Sequence, residues 1–340
     1  MKYSNNYILY PVNRALERAV ADSLHLLGDE AAAAAMPDTQ VTVADRFLYT
    51  RGNYELHHFS TNVLEPAQAA LESALAAESA SLVRVTRLNN LGNVLAALAQ
   101  IRRDADLYRR SIASFEKALE LVSQDTSPSA WAGTQANLGT ALQALGQQEA
   151  DAKSLNKAVD AYTAALLVYS RTETPEEWLL VMHQLGAALH SYGLLLKGNR
   201  TLHKSVVAYK NSLAVLDADN YAFELTATHN NRGAVLHHLG ESEENPDRIK
   251  EAIHSYEKAL AVSMEQQLPF HLAVIIRVNK ATAQNVLAEL AKDSVLAQEV
   301  ADEYELILEC FPHALQPLCV KHCEAQLNQA RKLAGASAAA

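Results

Sequence analysis

The chain has 340 residues, of which 49% are apolar and 20% charged, with a formal charge of −10 at pH 7. That length suits two globular domains or one array that grows by repetition, and the composition excludes an intrinsically disordered chain. The acidic balance argues against nucleic acid and anionic membrane as partners, both of which call for a basic excess.

In chain order, Met1 to Pro11 is polar and lacks an apolar signal core behind a basic start. Pro11 to Leu27 reads as an amphipathic helix, followed by a loop around Pro37. Val41 to Tyr54 and Pro66 to Ala77 read as a degenerate helix pair, with Leu71, Ala74 and Leu75 on one face. Residues 1–80 are thus expected to form an N-terminal helical cap with one degenerate repeat. Arg102, Arg103, Arg109 and Arg110 form a local basic cluster, read as a solvated helix start.

From Val83 onward the sequence is periodic. Gly92, Gly139, Gly186 and Gly233 recur at a constant interval of 47 residues. Phe115, Tyr162, Tyr209 and Tyr256 keep the same interval, as do Trp131, Trp178, Leu225 and Leu272. Three ladders on one period define a repeat. Each unit reads as two helices. In the second unit, helix A runs from about Ser129 to Gly146, with Trp131, Leu138, Leu142 and Leu145 on one stripe. Pro128 and Pro175 fit a first helical turn, with Ser127 and Thr174 as candidate caps. Gly146, Gly193 and Gly240 are read as helix-A stops. Helix B carries Ala158, Tyr162, Ala165 and Leu166 on one face, with Gly139 and Ala165 leaving room for Tyr162 between helices. A fifth, weaker unit places Asn279, Ala281 and Tyr304 in register after a one-residue slip. Leu315 to Leu333 would close the stack, and Ala334 to Ala340 would be a tail. The array is expected over residues 81–312, and the closing helix and tail over 313–340.

The order Leu138, Gly139, Gly146, Ala158, Tyr162, Ala165 resembles the tetratricopeptide repeat family, from Val83 to Met264. The period departs from the family's usual length of about 34 residues. The surplus is assigned to a longer A–B connection between Gly146 and Ala158 and a backward extension of helix A to Trp131. Long-period arrays of this type occur in bacterial proteins, some fused to caspase-like proteases. The resemblance implies an all-α fold, a right-handed α-solenoid of stacked antiparallel helix pairs, working as a non-enzymatic protein-interaction scaffold.

There is no Gly-rich phosphate loop, no Gly-x-Ser-x-Gly elbow and no His-Glu-x-x-His pair, so neither catalysis nor a cofactor is expected. No run of about 18 uncharged apolar residues suggests a membrane span. Cys310, Cys319 and Cys323 are three in number, which argues against a disulfide framework and for a cytoplasmic protein. With His313 and His322 they make two Cys-x-x-His pairs, a lesser reading as a small metal site against the plainer one of buried thiols.

The resemblance also implies that the residue two before each motif glycine faces a concave groove. Those residues are Asn90, Asn137, Gln184, Asn231 and Asn279, an amide in every unit. An amide offers one acceptor and donor hydrogens, so a row of them suits the backbone of an extended peptide. The alternative is that they hydrogen-bond between neighbouring helices. Asn89, Asn93, Thr140, Gln143, His183, His190, Asn230, His237 and His238 would line the same polar face. The histidines are read either as solvated imidazoles or as groups that make binding pH-dependent. The expected partner is therefore a peptide or helix of another protein, with a homodimer compatible. A regulatory subunit that controls a separate effector is the second reading.

Overall fold

The computed structural model describes residues 6–10, isolated positions between 16 and 26, residues 48–50, 61–77, 81–196, 198–311, 314–315 and 317–336. The expected loop at Pro37, most of the segment 41–54, His313 and residues 337–340 lie outside the described residues. The described residues form twelve α-helices and two three-residue strands, so the chain is essentially all-helical, with consecutive helices packed in pairs. No described helix is long and apolar enough to cross a membrane.

The chain divides into two compact bodies, one of residues 12–45 and 57–197, the other of residues 1–11, 46–56 and 198–340. The first contains α1 (Thr61–Ala77), α2 (Ser81–Arg102), α3 (Ala105–Leu119), α4 (Pro128–Glu149), α5 (Ala152–Ala165) and α6 (Pro175–Leu195). Successive helices touch, and α2 also touches α4, as α4 touches α6. Its core joins Ala19 and Val20 to Leu64, Leu71, Leu88 and Leu95, and continues through Phe115, Leu142 and Tyr162.

The second body contains β1 (Ile8–Tyr10), β2 (Leu48–Thr50), α7 (Arg200–Leu213), α8 (Ala218–Glu243), α9 (Pro246–Glu265), α10 (Phe270–Ala291), α11 (Ser294–Cys310) and α12 (Pro317–Ala336). Its core gathers Tyr256, Leu272, Ile275, Val300 and Tyr304, together with Tyr7 and Leu9 from the start of the chain. β1 and β2 are antiparallel, pairing Ile8 with Thr50, Leu9 with Tyr49 and Tyr10 with Leu48. A helix over Val41 to Tyr54 is therefore wrong at residues 48–50. Leu-Tyr-Thr has strand propensity, and the free edge of β1 offers it a hydrogen-bonding partner.

The aromatic ladder works as a set of wedges. A Cβ on Gly139 would stand 2.8 Å from the Tyr162 ring, and one on Gly233 would stand 2.7 Å from Tyr256. Both rings are fully buried, as are Phe115, Tyr209 and Tyr304. The repeat conserves a hole and the ring that fills it.

The ends of the A helices correct two expectations. α4 runs three residues past Gly146 and α8 three past Gly240. The left-handed residue is Ala150 after α4, Glu244 after α8 and Lys292 after α10. The next amide folds back in a six-to-one bond, Asp151 N–H to Gly146 O at 2.9 Å and Asn245 N–H to Gly240 O at 2.9 Å. Asp151, Asn245 and Asp293 then cap the B helices with their side chains. Gly146 is small because the incoming chain lies on it: a Cβ there would stand 3.0 Å from Leu155 N and 2.8 Å from its Cγ. The A–B connection in this unit is thus two residues, Ala150 and Asp151, and the longer period lies in longer helices and in B–A loops such as 166–174. Ser127 and Thr174 do occupy cap positions before Pro128 and Pro175, without a side-chain cap bond.

Candidate functional site

In the first body the amides mainly serve the helices around them. Asn89 Nδ2 donates to Thr134 Oγ1 at 2.7 Å, and Asn137 Nδ2 donates to Asn89 Oδ1 at 3.3 Å, joining α2 to α4. Asn93 donates to the Asn89 carbonyl at 3.1 Å. The Tyr162 hydroxyl lies 3.1 Å from both Thr140 Oγ1 and Gln143 Oε1. Asn90 faces the other way and donates to Asp22 Oδ2 at 3.0 Å. Asp22 belongs to the helical residues near the start of the chain, where Ala19 and Val20 are buried against this body. On α6, His183 and His190 are buried and Gln184 is half-buried. Of the basic cluster, Arg102 pairs with Glu65, Arg109 with Asp106 and Glu149, and Arg110 with Glu72.

The second body does something different with the same residue type. The segment Asn6–Tyr10 lies extended against α8. Asn279 Oδ1 accepts from Tyr7 N–H at 2.8 Å, and its Nδ2 donates to the Tyr7 carbonyl at 2.9 Å. One repeat earlier, Asn231 Oδ1 accepts from Leu9 N–H at 2.8 Å, and its Nδ2 donates to the Leu9 carbonyl at 2.6 Å. Asn230 adds a donor to the Tyr7 carbonyl at 2.9 Å. It also bridges the other two amides, donating to Asn231 Oδ1 at 3.1 Å and accepting from Asn279 Nδ2 at 2.8 Å.

The geometry follows from the strand period. In an extended chain, residues i and i+2 turn their backbone groups to the same side. Tyr7 and Leu9 therefore face the amides, while Ile8 and Tyr10 turn to β2. Each amide closes a two-bond ring with one residue's N–H and C=O, so the bonds themselves read only the backbone.

Side-chain pockets frame that row. The Asn6 amide sits in a polar cup: Tyr256 Oη donates to its Oδ1 at 2.9 Å, and its Nδ2 lies 3.1 Å from His238 Nε2 and 3.1 Å from His237 Nδ1. The Tyr7 ring meets His322 edge-on, with centroids 6.0 Å apart, and its hydroxyl pairs with the Cys319 sulfur. Burial pushes the Tyr7 phenol above its ordinary range. His322 Nε2 lies 3.0 Å from Thr282 Oγ1, which lies 2.9 Å from the Tyr304 hydroxyl. Leu9 is wholly buried in the apolar core.

Two expectations change here. The groove face was expected to be open, whereas Asn230, Asn231, Asn279 and His237 are 0% exposed. Reading the histidines as solvated imidazoles, or as groups titrating near neutrality, fails for His237, whose pKa burial and then the neighbouring His238 drive well below 6.5. Among the described residues no three His, Cys, Asp or Glu side chains converge as a metal site. Cys310 is exposed, while Cys319 and Cys323 are buried thiols around Tyr7.

The sequence reading missed Asn6, Tyr7 and Leu9. Their one signal is the run Tyr-Ile-Leu-Tyr between Asn6 and Pro11, too short to carry a period. Neither protein-family models nor curated protein sequences match this chain.

Proposed function

We propose that this chain is a non-enzymatic interaction scaffold of tetratricopeptide type, built as a right-handed solenoid of antiparallel helix pairs, whose helix-A amides hold an extended polypeptide. The observation that carries this reading is the doubled grip of Asn279 on Tyr7 and of Asn231 on Leu9. Two successive repeats satisfy two alternate residues of a strand in the same way. That is the recognition logic of strand addition, with backbone bonds giving affinity and side-chain pockets giving selectivity. The regulatory reading gains from the same place, since the bound strand is the chain's own.

A library of extended peptides displayed against the full chain and against Asn231→Ala/Asn279→Ala tests the proposal. Enrichment by the parent of peptides that bind tightly enough to displace the resident strand, and its loss in the variant at unchanged helicity, is the expected outcome. Equal enrichment by both would remove the amides from recognition.

A further inference from the structure

The geometry points to Asn6–Tyr10 as a replaceable occupant of the second body's groove, held there in place of a partner strand of the pattern Asn-Tyr-apolar-Leu. This rests on the scaffold reading and adds to it the ligand's chemistry and the means of control.

The argument begins with what the groove reads. Three residues of the occupant, Asn6, Tyr7 and Leu9, have dedicated receptors. Asn6 fills a cup of Tyr256, His237 and His238, which pairs both ends of its amide. Tyr7 places its ring against His322 and its hydroxyl on Cys319. Leu9 enters the apolar core with Tyr7, and both contribute backbone groups to the amides. Ile8 turns to the opposite edge, toward Thr50. Its side chain is itself buried, at 8% exposure, so a ligand for this site is an uncharged strand with a small amide, then a tyrosine, an apolar residue, and a leucine.

The second step is that the occupant is held unlike the rest of the fold. Helix pairs in this body are held by interlocking rings and holes, such as Tyr256 against Gly233. Asn6–Tyr10 is joined to them across separations of 222 to 272 residues, by side chains that bond its backbone. A strand gripped through its backbone is exchangeable with any strand that offers the same backbone and fits the same pockets. With the strand in place the groove amides are 0% exposed and Tyr7 and Leu9 belong to the apolar core, so its departure would open both amides and core to water, and a strand that re-covers them restores what was lost. The site therefore favours exchange over emptiness: one strand leaves as another enters. A tethered strand competes at an effective concentration of around the millimolar range. A free partner strand with similar contacts loses to it unless the tether's contacts are weakened, which makes the resident strand a gate.

The test uses a fluorescent peptide of residues 4–11, Ser-Asn-Asn-Tyr-Ile-Leu-Tyr-Pro, with the full chain. Leu9→Asp puts a carboxylate where no charge is accommodated, so the resident strand should leave. The expected result is apparent binding at least tenfold tighter to Leu9→Asp than to the parent, and lost again in Leu9→Asp/Asn231→Ala/Asn279→Ala. Folded Leu9→Asp that ignores the peptide overturns the inference. A dimer of the parent that Leu9→Asp abolishes would assign the groove to a second copy and overturn it too. Should Leu9→Asp fail to fold, hydrogen exchange of the parent decides. Tyr7 and Leu9 amides exchanging faster than α8 core amides mark a strand that opens by itself. Protection equal to that of α8 marks an integral strand and ends the idea. Library peptides that bind the parent while this peptide never binds would leave the scaffold standing and sink only the occupant.

Discussion

The two bodies carry the same amide at the same place in the repeat and use it differently. In the first, Asn137 reaches back to Asn89 and the pair ties α4 to α2. In the second, Asn231 and Asn279 turn to a strand and give it both a donor and an acceptor. Position alone does not decide the role of such a residue; the group that covers it does. Asn90 makes the same point within one body, since its donor goes to Asp22, also from early in the chain. Early residues thus cover groove amides in both bodies, once through a helix and once through a strand.

The largest effect expected from breaking this comparison comes at the ring beneath the groove. Tyr162 and Tyr256 fill equivalent holes, but the Tyr162 hydroxyl bonds Thr140 and Gln143 on the neighbouring helix, whereas the Tyr256 hydroxyl donates to Asn6 and so also supports the strand. Truncating a buried aromatic to alanine costs about 3–5 kcal/mol from the cavity alone. Tyr256→Ala should reach the upper end of that range and Tyr162→Ala the lower. Hydrogen exchange resolved by peptide would read each body separately, and Tyr256→Ala should deprotect Tyr7 and Leu9 as well as α9. A smaller loss at 256 than at 162 would mean that Asn6 gains nothing from its cup.

Acid should separate the bodies next. His322 is buried against Tyr7 and Thr282, and burial lowers its pKa from 6.5 to about 4. Between those values the unfolded chain binds a proton that the folded chain refuses. Stability is then complete above about pH 6.5 and falls as pH drops toward 4, by roughly 1.4 kcal/mol per pH unit for each such group. His322 alone accounts for about 3 kcal/mol across that window, and His237, displaced in the same direction, adds to it. Thermal unfolding of His322→Gln from pH 7 to pH 4 should show a shallower pH dependence than the parent. An identical slope would move the acid sensitivity elsewhere.

How much of this was legible beforehand differs by element. The wedge and its hole were, because Gly139 with Tyr162 and Gly233 with Tyr256 repeat at one interval, and a missing Cβ opposite a ring has one packing solution. The amide row was legible as a row of residues but not as an occupied one. Tyr7 meets Asn279 across 272 positions, and no local pattern encodes a contact of that range. Nor did the histidines reveal their burial, since that depends on the covering strand as much as on α8. The glycines near the helix-A ends misled for a simpler reason. A helix stop and a crossing chain both require a missing Cβ, and sequence does not distinguish them; here the left-handed turn went to Ala150 and Glu244.

A moderate effect is expected from the gripping amide itself. Asn231→Ala leaves the Leu9 N–H and C=O without their buried partners, and removes an acceptor from Asn230. At about 1–3 kcal/mol for an orphaned buried group, partly recovered by strand movement, a loss of about 2 kcal/mol in the second body is expected. Asn231→Asp is the sharper probe, because a carboxylate keeps the acceptor for Leu9 N–H but cannot donate to its carbonyl. It should release the strand at neutral pH and hold it better as the carboxylate protonates, a trend opposite in sign to that of His322. Strand protection in Asn231→Asp that is unchanged from pH 7 to pH 4 would show that the Asn231 donor is dispensable.

The smallest effect should come from Asn137→Ala, the equivalent change one body away. Asn137 is half-buried and its bond to Asn89 is long, at 3.3 Å. Asn89 keeps its bond to Thr134, so removing Asn137 orphans an acceptor that water can reach. The expected cost is under about 1 kcal/mol, within the range of a single solvent-accessible hydrogen bond. Paired denaturation curves for Asn137→Ala and Asn231→Ala, each read in its own body, give the ratio that matters. A ratio near one would mean that both amides do the same structural task, and that the strand in the second body has no special claim on its groove.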